Sequence, residues 1–88
     1  MKVVVRKYIL PQKRESDITM PEGARIIFVS STNGIEIYLW AIVDPEAPPE
    51  TRKFFIYGTE DPLAVGLCLK YLGTAFTTPY TWHVFGDN

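Results

Sequence analysis

The chain reads as a small, mainly β domain: a single antiparallel barrel or sandwich over residues 1–88, with about six short strands and little helix. Three observations lead there. Runs rich in Val, Ile, Phe, Tyr and Trp recur along the 88 residues. Turn signals built on Gly, Pro, Asn and Asp separate them at intervals of about 8–15 residues. An Asn33-Gly34 pair sits between two such runs, and both residue types tolerate the positive φ that a tight hairpin needs.

Val3 to Leu10 forms the first expected strand, closed by Pro11. The polar stretch QKRESDIT reads as a loop, and Pro21 and Gly23 in MPEGA mark a turn. Ala24 to Ser31 and Ile35 to Val43 form the two arms of the Asn33-Gly34 hairpin. A two-residue type I′ turn there sets Thr32 opposite Ile35, Ser30 opposite Ile37 and Phe28 opposite Leu39. One face then carries Ile26, Phe28, Ile37, Leu39 and Ala41, and the other Ile27, Val29, Tyr38 and Trp40. A sheet apolar on both sides needs cover on both sides, so a closed barrel, a folded-over sheet or a second subunit is expected. DPEAPPETR (Asp44 to Arg52) carries three prolines, which fix φ and remove donors, and it reads as a stiff exposed loop. Lys53 to Tyr57, Lys70 to Thr77 and Tyr80 to Phe85 complete the strands. Pro62 to Leu67 reads either as a short helical turn opened by the proline or as a strand, and Gly66 suits neither.

A chain of this size buries about 60–65% of its unfolded surface, so its core is thin. With 14% aromatic residues, some rings must face outward or meet a partner. The net charge of −1 gives no bulk attraction to nucleic acid or membrane. Lys2, Arg6, Lys7, Lys13 and Arg14 crowd the first fourteen residues without an acid, the pattern of an edge strand guarded against aggregation by charge. No apolar run reaches the ~18–20 residues of a membrane span. Cys68 is the lone cysteine; it has neither a disulfide partner nor zinc spacing and reads as a small buried hydrophobe. A reducing, cytoplasmic setting is expected.

No catalytic set emerges. His83 is the only histidine; as a general base it needs a positioned hydroxyl or carboxylate, and a structural role outweighs that reading. No phosphate-cradling glycine motif is present, no metal ligand set is spaced in the chain, and no cofactor is implied. The remaining hint is a mixture of rings and cations. Trp40, Tyr57, Tyr80 and Trp82 could stack on a ligand, and Arg6, Arg25 and Arg52 could hold phosphates bidentately. Together with His83 these are the candidate binding residues, and a ligand site would require them to converge on one concavity.

Several blocks resemble a family of small phage and prophage proteins described as a domain of unknown function. They are MPEGA at 20–24, NG at 33–34, LWAIVDP at 39–45, EAP at 46–48, RKFFIYGT at 52–59, YLGT at 71–74 and WHVF at 82–85. The resemblance runs over about residues 4–86. After the YGT this chain carries Glu60-Asp61-Pro62 where the resemblance implies Gly-His-Pro, and LAVGLCL at 63–69 departs from a more polar linker. The resemblance implies a cytoplasmic accessory protein that acts by binding a host enzyme, a defence complex or a signalling nucleotide. It implies no catalytic residues. The expected function is therefore that of a non-enzymatic binding protein, a homo-oligomer (a dimer first) that engages a host or phage protein. A small anionic, nucleotide-like ligand is the alternative, and a His83-dependent hydrolase stands behind both.

Overall fold

The computed structural model describes residues 2–63 and 69–87. Seven strands follow in chain order: β1 (Val4–Leu10), β2 (Glu15–Pro21), β3 (Arg25–Ser30), β4 (Ile37–Val43), β5 (Pro49–Gly58), β6 (Leu69–Phe76) and β7 (Thr81–Asp87). They form two antiparallel sheets, β1-β4-β3 and β2-β5-β7-β6. The sheets face each other as a sandwich rather than closing into a barrel, and they touch most along a β3–β6 seam. The basic first strand, β1, is indeed a sheet edge.

Alternation explains the core. In β4, Ile37, Leu39, Ala41 and Val43 are buried and point toward the second sheet. They meet Met20, Phe54, Ile56 and Val84 from the facing strands. Each of the larger side chains among these contributes about 1.5–3 kcal/mol through burial, and Ala41 less.

Three sequence expectations need correction. QKRESDIT is not wholly a loop, because Glu15 to Pro21 is a strand paired with β5 from Glu15↔Phe55 to Pro21↔Pro49. Its inward positions are Ser16, Ile18 and Met20, and the small polar Ser16 hides the period-two signal. Asp44 to Arg52 is not all loop either, since β5 begins at Pro49. A proline is tolerated at the first residue of a strand, where the ladder asks nothing of its missing N–H.

The third correction is the hairpin. β3 and β4 are joined by a longer loop, Ser31 to Glu36, in which Gly34 has φ +71° while Asn33 stays at negative φ. The Asn33 side-chain Oδ1 instead accepts from the backbone N–H of Ile35 and of Glu36, each at 2.9 Å. An amide oxygen thus replaces the tight backbone turn. The register near the loop is Ser30↔Tyr38, Val29↔Leu39 and Phe28↔Trp40, one residue away from that of a two-residue turn. A bulge between Ile26 and Phe28 then restores Ile26↔Ala41. The faces change accordingly: Val29 turns inward with Leu39, and Phe28 turns outward beside Trp40.

The inner face of this hairpin is covered by the second sheet. Its outer face is not covered by any described strand. Of the segment Pro62 to Leu67, Pro62 and Leu63 lie in neither helix nor strand, and the rest, with Cys68, lies outside the described residues.

Candidate functional site

The candidate residues do not converge on one concavity; they divide among five places. Arg6 lies exposed on edge strand β1 opposite Ala41. Trp40 stands on the outer face of β1-β4-β3, half-buried, with its Nε1–H donating to Ser30 Oγ at 3.0 Å. Tyr57 and His83 occupy the outer face of the other sheet, opposite each other on β5 and β7. Arg25 and Arg52 border a cleft at the seam. Trp82 lies near Tyr80, with ring centroids 5.3 Å apart, and both line a depression of about 370 Å³ with Gly58, Thr59, Asp61, Pro79 and Thr81.

The His83 face is a cross-strand array. Thr59 Oγ1 lies 2.9 Å from Nε2 and Thr74 Oγ1 lies 3.1 Å from Nδ1. A neutral imidazole donates from one nitrogen and accepts at the other, so one hydroxyl accepts and the other donates. Thr74 is also hydrogen bonded to the Tyr71 hydroxyl. Beside them, Phe85 is held edge-on between Tyr57 at 5.8 Å and Tyr71 at 5.6 Å. The Arg14 guanidinium covers the Tyr57 ring at 4.2 Å and reaches Asp61 Oδ2 at 3.3 Å. That same carboxylate oxygen accepts from the Gly58 N–H at 2.8 Å. A hydroxyl is thus within reach of His83, as base chemistry requires, but both ring nitrogens are already bonded inside the domain and no carboxylate orients the ring among these bonds. The arrangement is that of a brace tying β7 to β6 and to the segment after β5.

Farther along this face, Lys53 meets Glu15 Oε2 at 3.0 Å and Asp17 Oδ1 at 3.4 Å. The hydrogen bond to Glu15, with the nearby charge of Asp17, raises the pKa of the ammonium group above its ordinary value.

The outer face of β1-β4-β3 has a different character. Val5 pairs with Ile42, Lys7 with Trp40 and Ile9 with Tyr38; Phe28 pairs with Trp40 from the other side. Val5 and Phe28 are each 60% exposed and Ile9 is 54% exposed. In the middle, the Lys7 Nζ sits 4.5 Å from the Tyr38 ring centroid and 5.6 Å from that of Trp40. Tyr38 itself is buried, and its hydroxyl donates to Glu36 Oε1 at 3.0 Å. That bond, helped by burial, raises the phenol pKa above 10.0.

At the seam a cleft of about 280 Å³ is bordered by Arg25, Arg52 and Lys70, with Gly23, Ala24, Ile26, Leu72 and Gly86 completing its walls. Arg52 is half-buried, and its Nη1 donates to the Ala24 carbonyl. No group of three or more His, Cys, Asp or Glu side chains comes together among the described residues.

Sequence reasoning singled out Arg25 and Arg52 but missed Lys70, which joins them only because β6 folds beside the start of β3. It also missed Thr59, Thr74 and Arg14, whose roles depend on cross-strand neighbours. The outward apolar set was partly readable, since Val3, Val5 and Ile9 share one parity in the first strand.

Compared with curated proteins and with solved structures, the chain matches none. Its sequence does match a family over its whole length: the chain belongs to the family described as a domain of unknown function (DUF7352), across residues 1–88.

Proposed function

We propose that the protein is a non-enzymatic binding domain, and that the outer face of β1-β4-β3 is the surface with which it engages a protein partner. One observation carries this reading: Val5, Ile9 and Phe28 stand exposed on that face, spread over its two edge strands. Contiguous apolar exposure of this kind marks interaction surfaces. Aromatic side chains with a polar handle, here Trp40 and Tyr38, suit the centre of such a surface. Lys7 is its central charge, and the outward positions paired across β1, β4 and β3 hold no carboxylate. An apolar surface carrying acidic groups therefore complements it best.

The likeness to phage and prophage proteins supports a host or phage protein as that partner and the host cytoplasm as the setting. A dimer through the same face is the other way of covering it, and it follows from the same apolar exposure.

Purification of the tagged protein from its expressing host, followed by native mass spectrometry, tests the reading. The expected result is a stoichiometric protein complex or a dimer. The Val5→Asp/Phe28→Asp variant should keep the wild-type circular dichroism spectrum and lose the associated mass. A bare wild-type monomer, or a folded double variant that retains its partner in full, would overturn the proposal.

A further inference from the structure

We infer that the cleft bordered by Arg25, Arg52 and Lys70 binds a small molecule through adjacent phosphoryl groups. The cleft adjoins the apolar outer face at Arg25, which pairs with Ile42, but Arg52 and Lys70 belong to the other sheet, so its failure would leave the reading above untouched.

Three cations reach this cleft from three strands: Arg25 opens β3, Arg52 lies on β5 and Lys70 on β6. Elsewhere the domain neutralises cations that stand near acids, as with Arg14 on Asp61 and Lys53 on Glu15 and Asp17. Arg25, Arg52 and Lys70 form no ion pair among the described residues, and no acid is among the described residues that line the cleft; Glu22 and Asp44 share a neighbouring depression with Arg25. Like charges gathered without a counter-ion repel one another; an anion seated among them turns that repulsion into attraction.

Arg52 is the preorganised member. Its Nη1 is fixed on the Ala24 carbonyl, and its guanidinium lies 6.0 Å from the Phe54 ring centroid. No other nitrogen of this guanidinium is hydrogen bonded to oxygen among the described residues, so a planar fork remains for a phosphoryl oxygen pair. Gly23 presents bare backbone at the cleft, with nothing within 4 Å of where a Cβ would be, whereas Gly86 lies in the paired β7 beneath Leu72 and Phe54. A rigid donor, two further cations and the open backbone at Gly23 are suited to a multiply charged oxyanion.

The size of the cleft, about 280 Å³, suits a compact diphosphate better than the track of a polymer. No aromatic side chain is among the residues that line it, so recognition rests on charge and hydrogen bonds rather than base stacking.

Isothermal titration at low ionic strength with inorganic pyrophosphate is the test, with ADP as a second arm. Saturable binding of one pyrophosphate per chain is expected, with amide shifts at Gly23, Ala24 and Gly86. Each lost charge-assisted contact should weaken binding about tenfold. Arg25→Gln/Lys70→Gln should therefore bind far more weakly while its melting temperature without ligand stays close to wild type. Arg52→Lys keeps the charge but removes the fork, and should also weaken binding. Equal affinity for pyrophosphate and ADP assigns recognition to phosphoryl groups alone; tighter ADP binding extends it to a nucleoside, and either upholds the site. Absence of saturable binding to wild type at millimolar pyrophosphate, or unchanged affinity in the folded double variant, would overturn it.

Discussion

The two outer faces of the sandwich, one built from three strongly apolar strands and the other from four more polar ones, resolve their exposed side chains in different ways. On β2-β5-β7-β6 the rings around β7 find neighbours on their own face, Phe85 between Tyr57 and Tyr71 and Tyr57 beneath Arg14, while Phe76 at the end of β6 stands 72% exposed. His83 is held by two threonines, and Lys53 by two carboxylates. On β1-β4-β3 the polar partners stop at the middle strand. Lys7 covers Tyr38 and Trp40, while Val5, Ile9 and Phe28 toward the edges remain open. Cross-strand partners, together with hydrophobic content, thus decide how far a face is finished.

Substitutions can break or sharpen that contrast. The largest effect belongs to what the two faces share, the interior beneath them. Leu39→Ala should cost about 2–5 kcal/mol in denaturant unfolding, because Leu39 is fully buried and leaves a cavity. A loss under about 1 kcal/mol would show that the first sheet is not anchored through this side of β4.

Next comes a matched pair of rings. Phe85→Ala should cost about 2 kcal/mol, less than a fully buried phenylalanine because Phe85 is half-buried. Phe28→Ala should stay within about 0.5 kcal/mol, since most of its surface already meets water. Equal losses in a thermal melt would abolish the distinction between a finished face and an open one. His83→Ala should fall between the two rings, at about 1 kcal/mol for its exchanged hydrogen bonds. A loss of function from this variant without any loss of stability would restore a chemical role for the histidine.

The smallest effect is alkaline. The pKa of Tyr38 is raised by its hydrogen bond to Glu36 and by burial, so folding favours the neutral phenol. That contribution is complete below 10.0, the ordinary value, and is lost as pH rises through the higher folded pKa. Ultraviolet titration should show one late-ionising tyrosine that vanishes in Tyr38→Phe. If the last phenol to ionise persists in that variant, the polar closure of the middle strand is misassigned.

Much of the strand order was legible in the chain because β4, β5 and β7 carry long β-branched and aromatic runs. β2 was not, because an edge strand with Ser16 turned inward and Glu15 and Asp17 outward looks like any polar loop. The hairpin was legible as a hairpin and misread in register. Asn33 serves through its side-chain oxygen rather than its backbone, and Asn-Gly alone does not distinguish the two uses. The bulge at Ile27 then reassigned Phe28 and Val29 to opposite faces, which decided which rings could reach a partner. Arg25 and Arg52 stood out by residue type, but their meeting with Lys70 is a product of topology, and no local pattern announces it.

Gly73, at the bulge of β6, brings its backbone against Val29 of β3, so that a Cβ placed there would stand 2.8 Å from the Val29 Cβ. Positions 29 and 73 therefore share a single allotment of space although they belong to different sheets. Neither can drift alone: a methyl gained at 73 must be matched by atoms surrendered at 29, and the two substitutions would be tolerated together far better than the change at 73 by itself. In descent, the tightest constraint between the halves of this sandwich would thus appear as coordinated change at two unremarkable positions, one of them a glycine with no chemistry of its own.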